Sequence, residues 1–142
     1  MRYSFLALAI SICLILTACK KDDPASSSDQ YVNKLTLGTG MNASNFTLVG
    51  EGSSFTRGAS YALIYYRLES VNDYGGAGIS IKIEKQSGSN YTTVGTYSYP
   101  NPQSYGHIIM SSFTVTDVGS FRATGLLTNT SNVIATANFT VQ

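Results

Sequence analysis

In the segment Ile79-Ser80-Ile81-Lys82-Ile83-Glu84-Lys85, apolar and polar residues alternate from Ile79 through Glu84. In an extended backbone, successive side chains point to opposite faces. The three isoleucines therefore share one side and Ser80, Lys82 and Glu84 the other, as a half-buried antiparallel strand requires. The same period sets Ala62, Ile64, Tyr66 and Leu68 on one face and Tyr65, Arg67 and Glu69 on the opposite one. Beyond residue 18 no segment repeats apolar residues at the three-and-four spacing of a helix. The chain is expected to be all-β.

Further strands are expected at 34–38, 45–49, 91–98, 107–116, 119–127 and 133–141. Turn-forming clusters separate them, among them Ser87-Gly88-Ser89-Asn90, Asp117-Val118-Gly119 and Asn129-Thr130-Ser131-Asn132. The last two strands are expected to form a hairpin, with Phe121 and Ala123 facing inward beside Ala135, Ala137, Phe139 and Val141. Period two alone does not set strand order, and a jelly roll or a small barrel would show the same alternation.

The closing segment carries a resemblance. Asp117-Val118-Gly119-Ser120-Phe121-Arg122-Ala123, followed by a turn and by Ala135-Thr136-Ala137-Asn138-Phe139-Thr140-Val141, resembles the end of an immunoglobulin-like or fibronectin-III-like domain. In that family an acidic residue and a glycine turn the chain into the penultimate strand, and an aromatic follows two residues later. The resemblance implies an immunoglobulin-like antiparallel β-sandwich of about seven to eight strands over residues 34–142. Position 121 is phenylalanine, which lacks the hydroxyl of a tyrosine corner; the core cysteines are absent, and the chain has no tryptophan.

The amino-terminal end reads differently. Arg2, an apolar run from Phe5 to Leu16 and the small residues Thr17 and Ala18 make residues 1–18 a secretory signal, too short to span a membrane. Leu16-Thr17-Ala18-Cys19 resembles the lipobox of bacterial lipoproteins. The resemblance implies that the Cys19 thiol receives a diacylglycerol and that the new amino terminus is acylated. Nucleophilic thiolate chemistry is why cysteine is needed there. Two or three chains, at about 0.8 kcal/mol per buried methylene, would anchor the protein stably.

Lys20-Lys21-Asp22-Asp23 resembles the surface-export tether of Bacteroidota lipoproteins and implies the outer membrane, on its outward face. With Pro24 and a serine triplet, residues 19–33 form a polar, flexible tether. Its reach is roughly 20 Å.

Removing the leader leaves about 120 residues, enough for one domain. Arg2 leaves with it, so eight Lys and Arg face eight Asp and Glu. A balance without a basic field argues against a nucleic-acid partner. Cys13 would also be lost with the leader and Cys19 would be acylated, as the lipobox resemblance implies, so no disulfide is expected and no cofactor beyond those acyl chains.

Catalytic chemistry has little to work with. His107 is the single histidine and stands without a nucleophile elbow. Glu51, Glu69, Asp73, Glu84 and Asp117 are scattered; Glu84 reads as an outward strand residue and Asp117 as a turn former. Neither a zinc nor a calcium pattern occurs. Gly75-Gly76-Ala77-Gly78 lacks the lysine and hydroxyl sequel of a phosphate loop. The expectation is a protein with no catalytic residues and no metal.

Nine tyrosines remain after the leader, and Tyr97, Tyr99 and Tyr105 fall around Pro100-Asn101-Pro102, read as a proline-stiffened loop. With Tyr74 in an earlier loop, they are the candidate ligand contacts, because tyrosine gives large amphipathic contact at low entropic cost. The expected function is a non-catalytic envelope lipoprotein acting as a surface binding or accessory module. Its partners would be outer-membrane lipid through the anchor, and an outer-membrane protein or a glycan. The alternatives are a carbohydrate-binding module using the loop tyrosines and a structural component of an envelope assembly.

Overall fold

The structure, a computed structural model, describes residues 31–73, 78–99, 103–128 and 130–142, with backbone alone at 99 and 103–105. Among the described residues there are eleven strands and no helix. They are β1 (Lys34–Gly38), β2 (Gly40–Asn42), β3 (Thr47–Val49), β4 (Ser54–Phe55), β5 (Ala62–Glu69), β6 (Ile79–Ser87), β7 (Asn90–Tyr99), β8 (Gln103–Tyr105), β9 (Ile108–Val115), β10 (Gly119–Leu127) and β11 (Val133–Val141).

One sheet has the order β1-β5-β9-β8, the second β4-β11-β10-β6-β7, and β2 and β3 form a separate hairpin. This is the strand order of an immunoglobulin-like β-sandwich: first, second, fifth and fourth canonical strands on one side, and the closing pair with the third and its neighbour on the other. The expected hairpin forms, with Phe121 opposite Phe139 and Ala123 opposite Ala137. The pairing is antiparallel throughout except between β4 and β11, which run parallel. Three short strands, β2, β4 and β8, had no periodic signal because two or three residues are too few to show one.

The core lies between the sheets where the alternation put it. Ile64, Tyr66 and Leu68 of β5 face Ile79, Ile81 and Ile83 of β6, all fully buried. Phe113 sits among Tyr66, Tyr97 and Phe139, with ring centroids 6.4, 6.0 and 5.9 Å away, and Phe121 stacks on Phe139 at 5.4 Å. Offset and tilted aromatic contacts at such distances add to the area they bury. A second, smaller cluster lies on the outer face of the first sheet. There the β2–β3 hairpin lays Leu48, with Met41 and Phe46, over Met110 and Ile108. Gly38 makes this possible: a Cβ at that position would stand 2.8 Å from the Val49 carbonyl oxygen.

The registers fix two poles. Lys34 pairs with Glu69, Glu69 with Ile108, and Leu127 with Ile79, so the start of β1, the end of β5, the β8–β9 turn and the end of β10 share one pole. The β9–β10 turn, the segment before β5 and the last residue, Gln142, lie at the other. Residues 31–33 are fastened at the first pole. Tyr31 stacks on His107 at 4.4 Å, the Val32 amide donates to Glu69 Oε1 at 3.2 Å, and the Val71 amide donates to Asn33 Oδ1 at 3.0 Å.

Candidate functional site

The residues expected to carry function are placed unevenly. Cys19, Lys20, Lys21, Asp22 and Asp23 lie outside the described residues, as does Tyr74. Tyr97 lies in β7, within the strand expected at 91–98; β7 continues to Tyr99 and β8 begins at Gln103. Its ring turns into the sandwich, where the hydroxyl donates to the Thr114 carbonyl at 2.5 Å and the ring packs on Phe113. Register explains this. Tyr97 pairs with Ile81, an inward position, so a pleated strand must aim it at the core. Tyr99 pairs with Ile79 and Tyr105 with Ile108, so the backbones of both lie at the pole where residue 31 emerges.

Most of the ionisable groups among the described residues are held by neighbours within the fold. Glu84 is on the outward parity of β6 as expected, yet it is only 7% exposed, because neighbouring side chains cover it. Arg122, opposite it on β10, donates from Nε at 2.9 Å and from Nη2 at 2.8 Å to Oε2, and Lys82 Nζ reaches Oε1 at 3.0 Å. The Arg122 guanidinium lies over the Tyr91 ring, 4.0 Å from its centroid. Burial pushes the Glu84 carboxyl up, but the hydrogen bonds and charges of Lys82 and Arg122 outweigh it and hold the group below its ordinary value of 4.5.

Asp117, in the β9–β10 turn, pairs with Lys85 Nζ at 3.0 Å, and Arg57 Nη1 donates to the Thr116 carbonyl at 2.9 Å. Glu69 pairs with Arg67, whose Nε also donates to the Phe46 carbonyl. His107 lies in the turn before β9, its Nδ1 3.0 Å from the Ser70 carbonyl oxygen. Among the described residues no three His, Cys, Asp or Glu side chains are grouped as metal ligands.

What the sequence did not point to is a groove. Where the first sheet ends at β1 and the second at β11, the two edges leave an open cleft of about 740 Å³. Leu35, Leu37, Ala135 and Ala137 line its apolar floor; Lys34 and Glu51 are on its rim. β4 covers only Thr140 and Val141 of β11, so the strand from Val133 to Phe139 has no neighbour on that side among the described residues. The Thr140 amide donates to Ser53 and the Gln142 amide to Phe55, so even-numbered residues of β11 turn their peptide groups toward this edge. Thr136 and Asn138 therefore present theirs to the groove. The available signal was β11 itself, a nine-residue strand with neither charge nor proline, the usual protections of an edge.

No protein-family model matches this chain, and neither does any curated protein.

Proposed function

We propose that this chain is a non-catalytic, lipid-anchored module of the bacterial outer membrane, acting as a surface binding or accessory protein through its β-sandwich. The observation that carries the reading is how the charged groups are used. Glu69, Glu84 and Asp117 are each tied to a cation, and His107 is held by Ser70 and by Tyr31. A general acid or base needs a proton-transfer partner in a site open to substrate, and these groups are held in contacts within the fold instead, while Glu51, which carries no such contact, has no second carboxylate or histidine beside it in the groove. Leu16-Thr17-Ala18-Cys19 and the charged tether after it support the anchor and its compartment.

The partner class is an outer-membrane protein or an external ligand met by the sandwich. A glycan platform built on Tyr97 would have to draw its ring out of the core and break its bond to Thr114, so that version is the weaker one.

The test is metabolic labelling with an alkyne fatty acid in cells making the full chain and its Cys19→Ser variant, followed by protease treatment of intact cells. Label on the wild type alone, with digestion from outside, is expected. An unlabelled wild-type chain refutes the anchor, and purified protein that turns over a glycan or a peptide, with loss on substituting a carboxylate, refutes the non-catalytic reading.

A further inference from the structure

We propose that the groove between β1 and β11 is an acceptor for an extended segment of another protein, which adds a strand beside β11 along the line that β4 begins. Three features of the groove define the occupant. Peptide groups of Thr136 and Asn138 face it on one side, and on the other the Gly52 amide already donates to Leu37 at 3.0 Å, so Leu35, at the same parity, also turns its peptide groups outward. The floor of Leu35, Leu37, Ala135 and Ala137 takes apolar side chains at every second position of the incoming strand.

The rim is selective by charge. Of all charged side chains among the described residues, Lys34 and Glu51 alone make no hydrogen bond or ion pair within the chain, and both line this groove. Lys34 stands at the pole where residue 31 emerges. Glu51 is at the far end, beside the Gly52 amide that bonds Leu37. A segment with an acidic residue at the near end and a basic one at the far end satisfies both.

Two other occupants fit poorly. Residues 20–30 of the chain itself offer only Pro24 and Ala25 as apolar side chains and cannot fill the floor. A second copy pairing edge to edge about a two-fold axis across the strands would have its tether pole reversed. On the anchored reading, which this exclusion alone depends on, that pole would stand about 30 Å from the membrane, given nine-residue strands. The tether spans roughly 20 Å on average, so holding it stretched to 30 Å costs chain entropy that a segment of another protein does not demand. A two-fold along the strands would set N–H against N–H and form no ladder.

The far edge of the second sheet, β7, is less inviting. Its register shifts between Thr93 and Gly95, a bulge of the kind that blunts edges, and Tyr97 bridges from it to the first sheet.

The experiment uses the purified chain from Lys20 onward, without lipid, and two synthetic peptides with blocked ends. One is Asp-Val-Thr-Val-Thr-Val-Lys; the other has lysine at both ends. Amide hydrogen exchange is followed residue by residue at millimolar peptide. The first peptide is expected to slow exchange at Thr136 and Asn138 at least tenfold, and the second to bind about twofold more weakly, as exposed charge pairs allow. Lys34→Glu should reverse that order, and Thr136→Pro should abolish binding by removing an amide that the ladder to β10 does not use.

No slowing at Thr136 and Asn138, equal slowing along β7, or an unchanged peptide order in Lys34→Glu would overturn the proposal. Slowing that rises with protein concentration in the absence of peptide would assign the groove to a second copy and also overturn it. Because no lipid is present, these outcomes are independent of whether Cys19 is acylated.

Discussion

Glu84→Gln removes one charge from a side chain that accepts three charge-assisted hydrogen bonds while keeping its shape. Such bonds contribute about 1.5 to 3 kcal/mol each where both partners are buried. Here the cations are about one-third exposed, at 33% for Lys82 and 34% for Arg122, and recover much of their solvation when the carboxylate goes. The discounted loss at neutral pH is about 2 kcal/mol, or about 8 °C of melting temperature for a domain of this size.

The pH dependence follows from the direction of the shift. The folded-state carboxyl titrates below its ordinary value of 4.5, so its contribution is complete above that value and disappears as the pH falls through the folded one. Thermal unfolding of the wild type and Glu84→Gln at neutral pH and again near pH 3 measures both quantities. A difference under 2 °C at neutral pH, or one that fails to shrink on acidification, would refute the assignment of this cluster as a stabilising cross-strand clamp.

Tyr97→Phe should lose about 1 kcal/mol in denaturant unfolding by leaving the Thr114 carbonyl without its hydroxyl donor; no measurable change would mean that the hydroxyl does not join the two sheets. Phe113→Ala should cost about 3 to 5 kcal/mol, because the emptied space lies between Tyr66, Tyr97 and Phe139, and a midpoint unchanged in guanidinium would contradict the core as described. Gly125→Ala brings a Cβ within 3.0 Å of Leu68 Cδ1. A loss of about 1 kcal/mol or more in the same assay is expected from overpacking, and a more stable variant would refute it. Cys19→Ser should move the protein from the membrane fraction to the soluble one on cell fractionation; retention in the membrane would count against acylation as the anchor.

The long strands were legible because each carries enough alternation to separate its faces: Ile79 to Glu84 and Ala62 to Glu69 hold the parity expected of them. Strand order was not legible, since period two says nothing about neighbours; the short motif around Asp117-Val118-Gly119 pointed to a sandwich and no further. The direction of Tyr97 was not legible: β7 ends at Tyr99, one residue past its expected end, but only its register with β6 shows that Tyr97 turns inward. Glu84 showed the opposite limit. Its parity was right, but exposure depends on what lies across the strand, and Arg122 is 38 residues away in sequence. The groove was invisible for the same reason, being made by two edges that meet only when the sandwich closes.

The poles give the proposed anchor a geometric consequence. Tyr31, held on His107, marks where the tether leaves, and the backbones of Tyr99 and Tyr105 lie at that same pole. On the anchored reading a tether of roughly 20 Å keeps this pole near the lipid, so its loops meet what lies at the membrane surface. The opposite pole, with Val118 53% and Tyr61 50% exposed, faces away. The β1–β11 groove runs along the side between the poles, with Lys34 toward the pole where residue 31 emerges and Glu51 toward the other. On the anchored reading, a partner rooted in the same membrane would reach the groove with a segment rising beside the sandwich, acidic residue first, without displacing either pole.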